Sequence, residues 1–366
     1  VKVLGVVTLV SPHGEYGGPV RVALNQLAAL RDLGHDVVIA GAARGYDSLP
    51  SDVDGIPARL FPARTLIPGI GFAGIGSPAL LRSLRRHVGE FDIVHVHAAR
   101  DLVTLPAARV AGARGVATVL QTHGMIDESA NALAIPFDAA LTRPALASAR
   151  AVTYLTARER ASLETISRGR ARLVELPNGV PEAPAASPTG RELLYLARLA
   201  ARKRPVQFVE AAARLAPEFP DARFRLVGPD EGEGDAVRAA IEASGHGERI
   251  RWEGALEPAR TGERMRRASG YVLPAVDEPY PMSVLEAMSA GLPVVVTDTC
   301  GLAAAVRDAE AGFVTDGGFS SLVTAMRRLL ADPADAHRRG QRGRMMTRER
   351  FTMPAIAERL VELYAR

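Results

Sequence analysis

The sequence predicts an α/β protein made of two doubly wound parallel-sheet domains, and three observations predict it. Short apolar strands alternate with amphipathic helices along the chain, the pattern of a parallel sheet covered by helices. The alternation runs twice, once on each side of "PEAPAASPTG" (181–190), which is rich in proline and small residues and reads as a linker. The 366 residues also exceed the size at which one hydrophobic core usually stops growing.

In the first half, "KVLGVVTLV" (2–10) reads as a buried strand running into the loop "SPHGEYGGP" (11–19). "PVRVALNQLAALRDLG" (19–34) has apolar residues at helical spacing and a glycine stop. Strands follow at "DVVIAG" (36–41), "DIVHVHA" (92–98), "ATVLQTH" (117–123) and "AVTYLT" (151–156), and "RLVELPNGV" (172–180) closes a domain of residues 1–180. The second half, 181–352, repeats the scheme with "ELLYLARL" (192–199), "RFRLVGP" (223–229), "IRWEG" (250–254), "GYVLPA" (270–275) and "PVVVTD" (293–298). "MPAIAERLVELYAR" (353–366) is a last amphipathic helix.

Composition narrows the function. Hydrophobic content of 47% and charged content of 23% describe an ordinary soluble globular chain. The single cysteine, Cys300, excludes a disulfide framework and a multi-cysteine metal site, and fits a cytoplasmic protein. "VKVLGVVTLV" is too short to span a membrane and has no small-residue cleavage site. The formal charge of +4 suits anionic small molecules, phosphates or an acidic membrane surface. No aromatic residues interleave the basic runs "RSLRRH" (82–87) and "RRGQRGR" (338–344), so nucleic acid is not an expected partner. Among 45 lysines and arginines only Lys2 and Lys203 are lysines, which makes Lys203 conspicuous.

Ligands of such sheets bind beyond the carboxyl ends of the strands, so each loop there is a candidate, and with two domains the cleft between them is the natural place. Gly17 and Gly18 directly precede a helix, where they either form a flexible turn or let backbone N–H groups approach an anion. The 11–19 loop is not a G-x-G-x-x-G fingerprint and no G-x-x-x-x-G-K-[ST] occurs, so dehydrogenase and P-loop readings lose support. In "LARLAARKRP" (196–205), Arg198 and Lys203 are spaced to grip a pyrophosphate, while Arg202 and Arg204 read as solvated charge. His123 ends a strand beside Gly124, in either a structural or a functional role. His95 and His97 share one strand face without a third ligand, so no metal site is expected there, nor at "DVD" (52–54) in its turn. In "EPYPMSVLEAMSAG" (278–291), Pro281 opens a helix whose first N–H groups, on Met282, Ser283 and Val284, would welcome a phosphate. Glu286, one turn inside, suits vicinal hydroxyls such as those of a ribose, and Glu278 a second polyol.

Together these residues resemble the family-4 retaining glycosyltransferases of the GT-B fold, two Rossmann-like domains facing across a deep cleft, over nearly the whole chain. The match is carried by E-x7-E at Glu278 and Glu286, R-x4-K at Arg198 and Lys203, the pair Gly17–Gly18, His123 in "THGM", "PNGV" (177–180) and the final helix. The resemblance implies sugar transfer from a nucleoside-diphosphate-sugar co-substrate to a hydroxyl acceptor, with no further cofactor and no metal. It implies that Arg198 and Lys203 hold the diphosphate, Glu286 the ribose and Glu278 the donor sugar. It implies that His123 reaches the sugar or its phosphate, that Gly17–Gly18 approach the phosphates and the acceptor side, and that the main chain around Glu253 and Gly254 reads the base. The last helix would return to the first domain. "CGLAA" (300–304) and Tyr280–Pro281 depart from the family pattern beside the donor sugar. An epimerase, a phosphorylase or a non-catalytic nucleotide-binding relative on the same scaffold are the alternatives. The apolar loop and basic helix in 67–91 read either as an ordinary surface helix or as a peripheral contact with the inner face of a membrane.

Overall fold

The computed structural model of the protein describes residues 1–12, 17–128, 134–257 and 260–365. The chain divides into two compact units, Val1–Gly179 with Met353–Arg366, and Val180–Thr352. Val180, placed by sequence at the end of the first domain, belongs to the second unit: its N–H donates to the Phe351 carbonyl (2.8 Å) and it bridges to Thr352.

The first unit contains β1 (Lys2–Val10), β2 (Asp36–Ala43), β3 (Asp52–Val53), β4 (Ile56–Pro62), β5 (Arg64–Thr65), β6 (Ile75–Gly76), β7 (Ile93–His97), β8 (Ala117–Gln121), β9 (Ala151–Tyr154) and β10 (Leu173–Glu175). Its eight-stranded sheet runs β10-β9-β8-β7-β1-β2-β4-β3, parallel except for the β3–β4 hairpin. Strand order reverses at β1 and β7, so the loops after them open the switch point where such sheets take ligands. β1 is apolar at nearly every position because both its faces are covered, one by a cluster around Leu105 and Leu120, the other by one around Leu27 and Leu30.

The second of these clusters includes the C-terminal helix Met353–Ala365. Its buried residues Met353, Ile356, Ala357, Leu360, Leu363 and Tyr364 recur at helical spacing and form one stripe, which packs against the helix Gly17–Asp32. Each leucine so buried contributes about 1.5–3 kcal/mol.

The second unit contains β11 (Glu192–Leu196), β12 (Arg223–Val227), β13 (Ile250–Trp252), β14 (Gly270–Leu273), β15 (Val294–Thr297) and β16 (Gly312–Thr315), ordered β13-β12-β11-β14-β15-β16 and parallel throughout. Its switch point lies between β11 and β14. The expected linker 181–190 is laid along this unit: the N–H groups of Ala183, Ala186 and Ser187 donate to Ser289 Oγ (3.1 Å) and to the carbonyls of Ala290 (2.7 Å) and Arg266 (2.9 Å). Its prolines prevent regular structure, but the remaining amides still find acceptors.

Within 67–91, Ser77 caps the helix Pro78–His87, which buries Leu80 and Leu84 and exposes Arg82, Arg85 and Arg86. Leu66 and Ile67 stand exposed just before it. Among the described residues no helix is long and apolar enough to cross a membrane.

Candidate functional site

A cavity of about 290 Å³ opens in the second unit beyond the carboxyl ends of β11 and β12, with Arg198, Lys203, Gly228, Glu278, Met282 and Ser283 on its wall. Local sequence builds each side. After β11 the chain forms a tight turn, Ala201–Lys203, ended by Arg204 at φ +52°, and Pro205 then starts the next helix. Arg204 tolerates this left-handed backbone while its guanidinium donates to the Gly317 carbonyl (2.7 Å), so it is not the solvated charge read from sequence. After β12, Gly228 has φ +150°, and a Cβ there would lie 2.0 Å from the Ala197 carbonyl oxygen. Only glycine lets these two loops touch.

The third wall is the entrance of the helix Met282–Ser289, preceded by Pro281 in extended conformation without a side-chain cap. The first-turn amides of a helix have no intrahelical acceptor, and Met282 and Ser283 line the cavity. Val284 does not: its side chain is buried and its N–H donates to the Pro281 carbonyl (3.0 Å), which corrects the expectation of three free amides. The Tyr271 hydroxyl donates to the Leu196 carbonyl (2.9 Å) and bonds the Ser283 hydroxyl (2.7 Å), tying this helix to the end of β11.

Charge is concentrated at one carboxylate. Lys203 Nζ lies 2.5 Å and Arg202 NH1 2.7 Å from Glu278 Oε2. Lys203 is buried, and burial pulls its ammonium pKa down while the Glu278 charge acts the other way. Arg202, expected to be solvated, is half-exposed yet shares Glu278 with Lys203. Arg198 pairs with Glu231. The Gly301 N–H donates to the Glu278 carbonyl (2.9 Å), so the retained glycine of "CGLAA" supports the loop that carries Glu278. Cys300 beside it is pushed up to about 11, chiefly by burial.

Two expectations shift. Glu286 is not on the cavity wall; it lies near Tyr271, whose phenol is raised first by burial and then by the Glu286 charge. The Glu253 carboxylate is held by Arg264 (2.8 and 3.0 Å) and faces Arg225 (3.6 Å). The Glu253 N–H and the Gly254 carbonyl are also taken, by the Leu226 carbonyl (2.9 Å) and the Gly228 N–H (2.8 Å). Neither residue lines the cavity, because the strand ladder uses those groups first.

In the first unit, Gly17 and Gly18 form the first turn of the helix Gly17–Asp32 rather than preceding it, and 13–16 of the same loop lie outside the described residues. His123 follows β8 and is half-buried, its Nε2 2.8 Å from His97 Nδ1. Among the described residues no three His, Cys, Asp or Glu are grouped to hold a metal ion. In "DVD", Asp52 accepts from the Gly55 N–H (3.0 Å) and Asp54 pairs with Arg21 (3.0 Å). Sequence reasoning missed Arg202, Tyr271 and the buried Glu159, which binds the His123 turn; only Glu159 left a signal, the T-x-x-E capping pattern of Thr156–Glu159.

Residues 17–179 match the glycosyl transferase 4-like domain, and residues 181–346 match glycosyl transferases group 1. A phosphatidyl-myo-inositol mannosyltransferase of Mycolicibacterium smegmatis is 27% identical over 97% of this chain and 92% of its own length. An exopolysaccharide phosphotransferase of Streptomyces coelicolor is 30% identical over 58% of this chain, which spans only 23% of that relative. The crystal structure of Anabaena HepE in complex with UDP superposes with a TM-score of 0.79 at 18% identity, covering 100% of both chains. The chain belongs to the family-4-type glycosyltransferases and has their GT-B fold.

Proposed function

We propose that the protein is a retaining, metal-independent glycosyltransferase that moves a sugar from a nucleoside diphosphate to a hydroxyl acceptor. The observation that carries this reading is one cavity lined together by Lys203, Arg198 and the residues Met282 and Ser283 at the entrance of the helix Met282–Ser289. Cations beside a positive helix end form a site for a diphosphate. HepE, of the same fold, was solved with UDP and with UDP-glucose, which supports a nucleotide-sugar donor here.

In the reaction the bond from the anomeric carbon to the diphosphate oxygen breaks, and the acceptor oxygen bonds that carbon from the same face. The acceptor proton passes to a phosphate oxygen of the departing nucleoside diphosphate. The chain's contribution is electrostatic. Lys203, Arg198 and the helix amides stabilise charge growing on the diphosphate, and each such contact is worth about 3–4 kcal/mol in the transition state. Glu278, already held by Lys203 and Arg202, offers a carboxylate to donor hydroxyls. The exposed Arg82, Arg85 and Arg86, with the exposed Leu66 and Ile67 earlier in the same stretch, favour peripheral attachment to an anionic membrane and a lipid-linked acceptor.

Calorimetry with UDP, GDP and ADP tests the donor site, and NMR of the product's anomeric configuration tests retention. Nucleoside diphosphate should be released only when acceptor is present, and equally with and without EDTA in the buffer. Donor isomerised without release, an inverted product, or activity abolished by EDTA and restored by Mn²⁺ would overturn the corresponding part.

A further inference from the structure

The first unit buries a polar column for which the proposed chemistry gives no reason. The Met125 N–H donates to the Thr122 carbonyl (2.8 Å), closing a turn whose central residues, His123 and Gly124, have φ of +53° and +72°. Two positive φ values in succession are the signature of a type I′ turn, and a histidine held there costs about 1–3 kcal/mol. Something must hold it.

Two groups do. Glu159 accepts from the Thr122 hydroxyl and from the N–H groups of Gly124 (2.6 Å) and Leu155 (2.7 Å). It is the third residue of the helix Ala157–Ser167, capped by Thr156, whose hydroxyl oxygen accepts from the Glu159 N–H (3.2 Å). In an ordinary capping box this carboxylate returns to the N–H of the capping residue itself. Here it reaches past that residue to Leu155 and across to the His123 turn, and it is buried there. The second group is His97, with its Nδ1 2.8 Å from His123 Nε2 and the two rings 5.1 Å apart at 11°. His95 stacks on His97 at 4.8 Å, and its Nδ1 is hydrogen-bonded to the Tyr364 hydroxyl (2.7 Å) on the C-terminal helix.

We propose that His97 and Glu159 are positioning residues for His123, Glu159 fixing the turn and His97 fixing the ring so that His123 presents an Nδ1–H donor to an oxygen of the sugar nucleotide. Burial keeps all three imidazoles neutral at physiological pH. In a neutral pair only one of the two facing nitrogens carries a proton. With His97 Nδ1–H as donor, His123 Nε2 accepts and its own proton sits on Nδ1, the atom suited to a hydroxyl or phosphate oxygen. The identity of that oxygen rests on the proposed function; the held turn and tautomer do not.

The test uses the full chain and two readouts. Long-range ¹⁵N–¹H NMR of the His123 ring should show one tautomer, Nδ1–H, in the native protein and a mixture in His97→Phe. His97→Asn, whose side-chain N–H overlies the imidazole Nδ1–H, should restore the single form. In Glu159→Gln the Gly124 amide should exchange faster than its neighbours. Turnover per folded molecule should fall roughly 10- to 100-fold in His97→Phe and Glu159→Gln with donor KM and UDP affinity unchanged, and recover in His97→Asn. An Nε2–H tautomer in the native protein overturns the proposal. So does a folded His97→Phe with native kcat, the result of a purely structural role. A native protein that turns over no nucleotide sugar counts against the proposed function, while the NMR and exchange results still decide this one.

Discussion

The first unit should lose stability in acid through His95, and the structure sets the size of the effect. Burial holds His95 down from 6.5 to about 4, with the neighbouring Gln121 acting the other way. His97 is held well below its ordinary value by burial and then by the charges of its two neighbours, and His123 falls to about 3 for the same leading reason. In the unfolded chain each takes up a proton near its ordinary value. Below that pH the unfolded state therefore binds more protons than the folded one, and stability falls as pH falls. For His95 the loss accumulates between pH 6.5 and about 4 and is complete below both values, amounting to about 3 kcal/mol. His123 is only half-buried, and solvent screening reduces its share.

Carboxylates also titrate in this range, so the measurement is a difference between native protein and His95→Asn, whose side-chain amide can still hydrogen-bond the Tyr364 hydroxyl. The only tryptophan, Trp252, lies in the second unit, so its fluorescence does not report the first. Hydrogen exchange of β7 and β8 amides does, in urea at pH 7, 5.5 and 4.5. The native protein should lose more stability than the variant across that span. Parallel pH profiles would refute the linkage, because they would mean that His95 is protonated in the folded state without penalty.

Three further outcomes follow from the site. Lys203→Ala should cut turnover at saturating donor by about two orders of magnitude, and Arg198→Ala by a smaller factor because it is exposed and already paired with Glu231; steady-state assays with acceptor check both. Gly228→Ala should destabilise the second unit by about 2 kcal/mol or more and abolish UDP binding, since its Cβ would meet the Ala197 carbonyl; Trp252, whose indole donates to the Gly228 carbonyl (2.9 Å), reports it by fluorescence. Replacing Arg82, Arg85 and Arg86 by Gln should weaken co-sedimentation with anionic vesicles by about 3 kcal/mol, roughly 100-fold, without changing UDP affinity.

The strands and helices were legible because their apolar periodicity is local. The final helix, read as 353–366, runs Met353–Ala365, and its buried stripe is visible in the letters. "RLVELPNGV" shortens to Leu173–Glu175, where Pro177 and the turn after it end the ladder. What could not be read is which member of a local cluster turns inward. "ARKRP" offers three adjacent cations; a turn of about three residues per revolution sends Arg202 and Lys203 to one carboxylate 75 residues or more away, while Arg204 leaves in the left-handed region. The bond from Glu159 to the His123 turn joins residues 35 apart, and only the capping half of its role has a local signature. The proline-rich stretch 181–190 misled for the same reason, since the acceptors for its amides lie far along the chain.

The two units hold their buried polar groups with opposite electrostatics. The second unit buries a lysine, which is tolerable because Glu278 neutralises it and Arg202 supports Glu278; removing one partner of such a pair leaves a costly buried charge. A phosphate approaching Lys203 therefore competes with a carboxylate already in place, and part of the attraction to the ground-state donor is offset. The first unit supplies a neutral imidazole, held by hydrogen bonds and burial rather than by charge. A fixed cation binds a ligand's standing charge as strongly as charge that grows during a reaction, which lowers KM without raising kcat. A neutral N–H donor gains most when negative charge develops on the oxygen it faces, so a neutral imidazole suits a charge that grows during a reaction better than one already standing on a ligand.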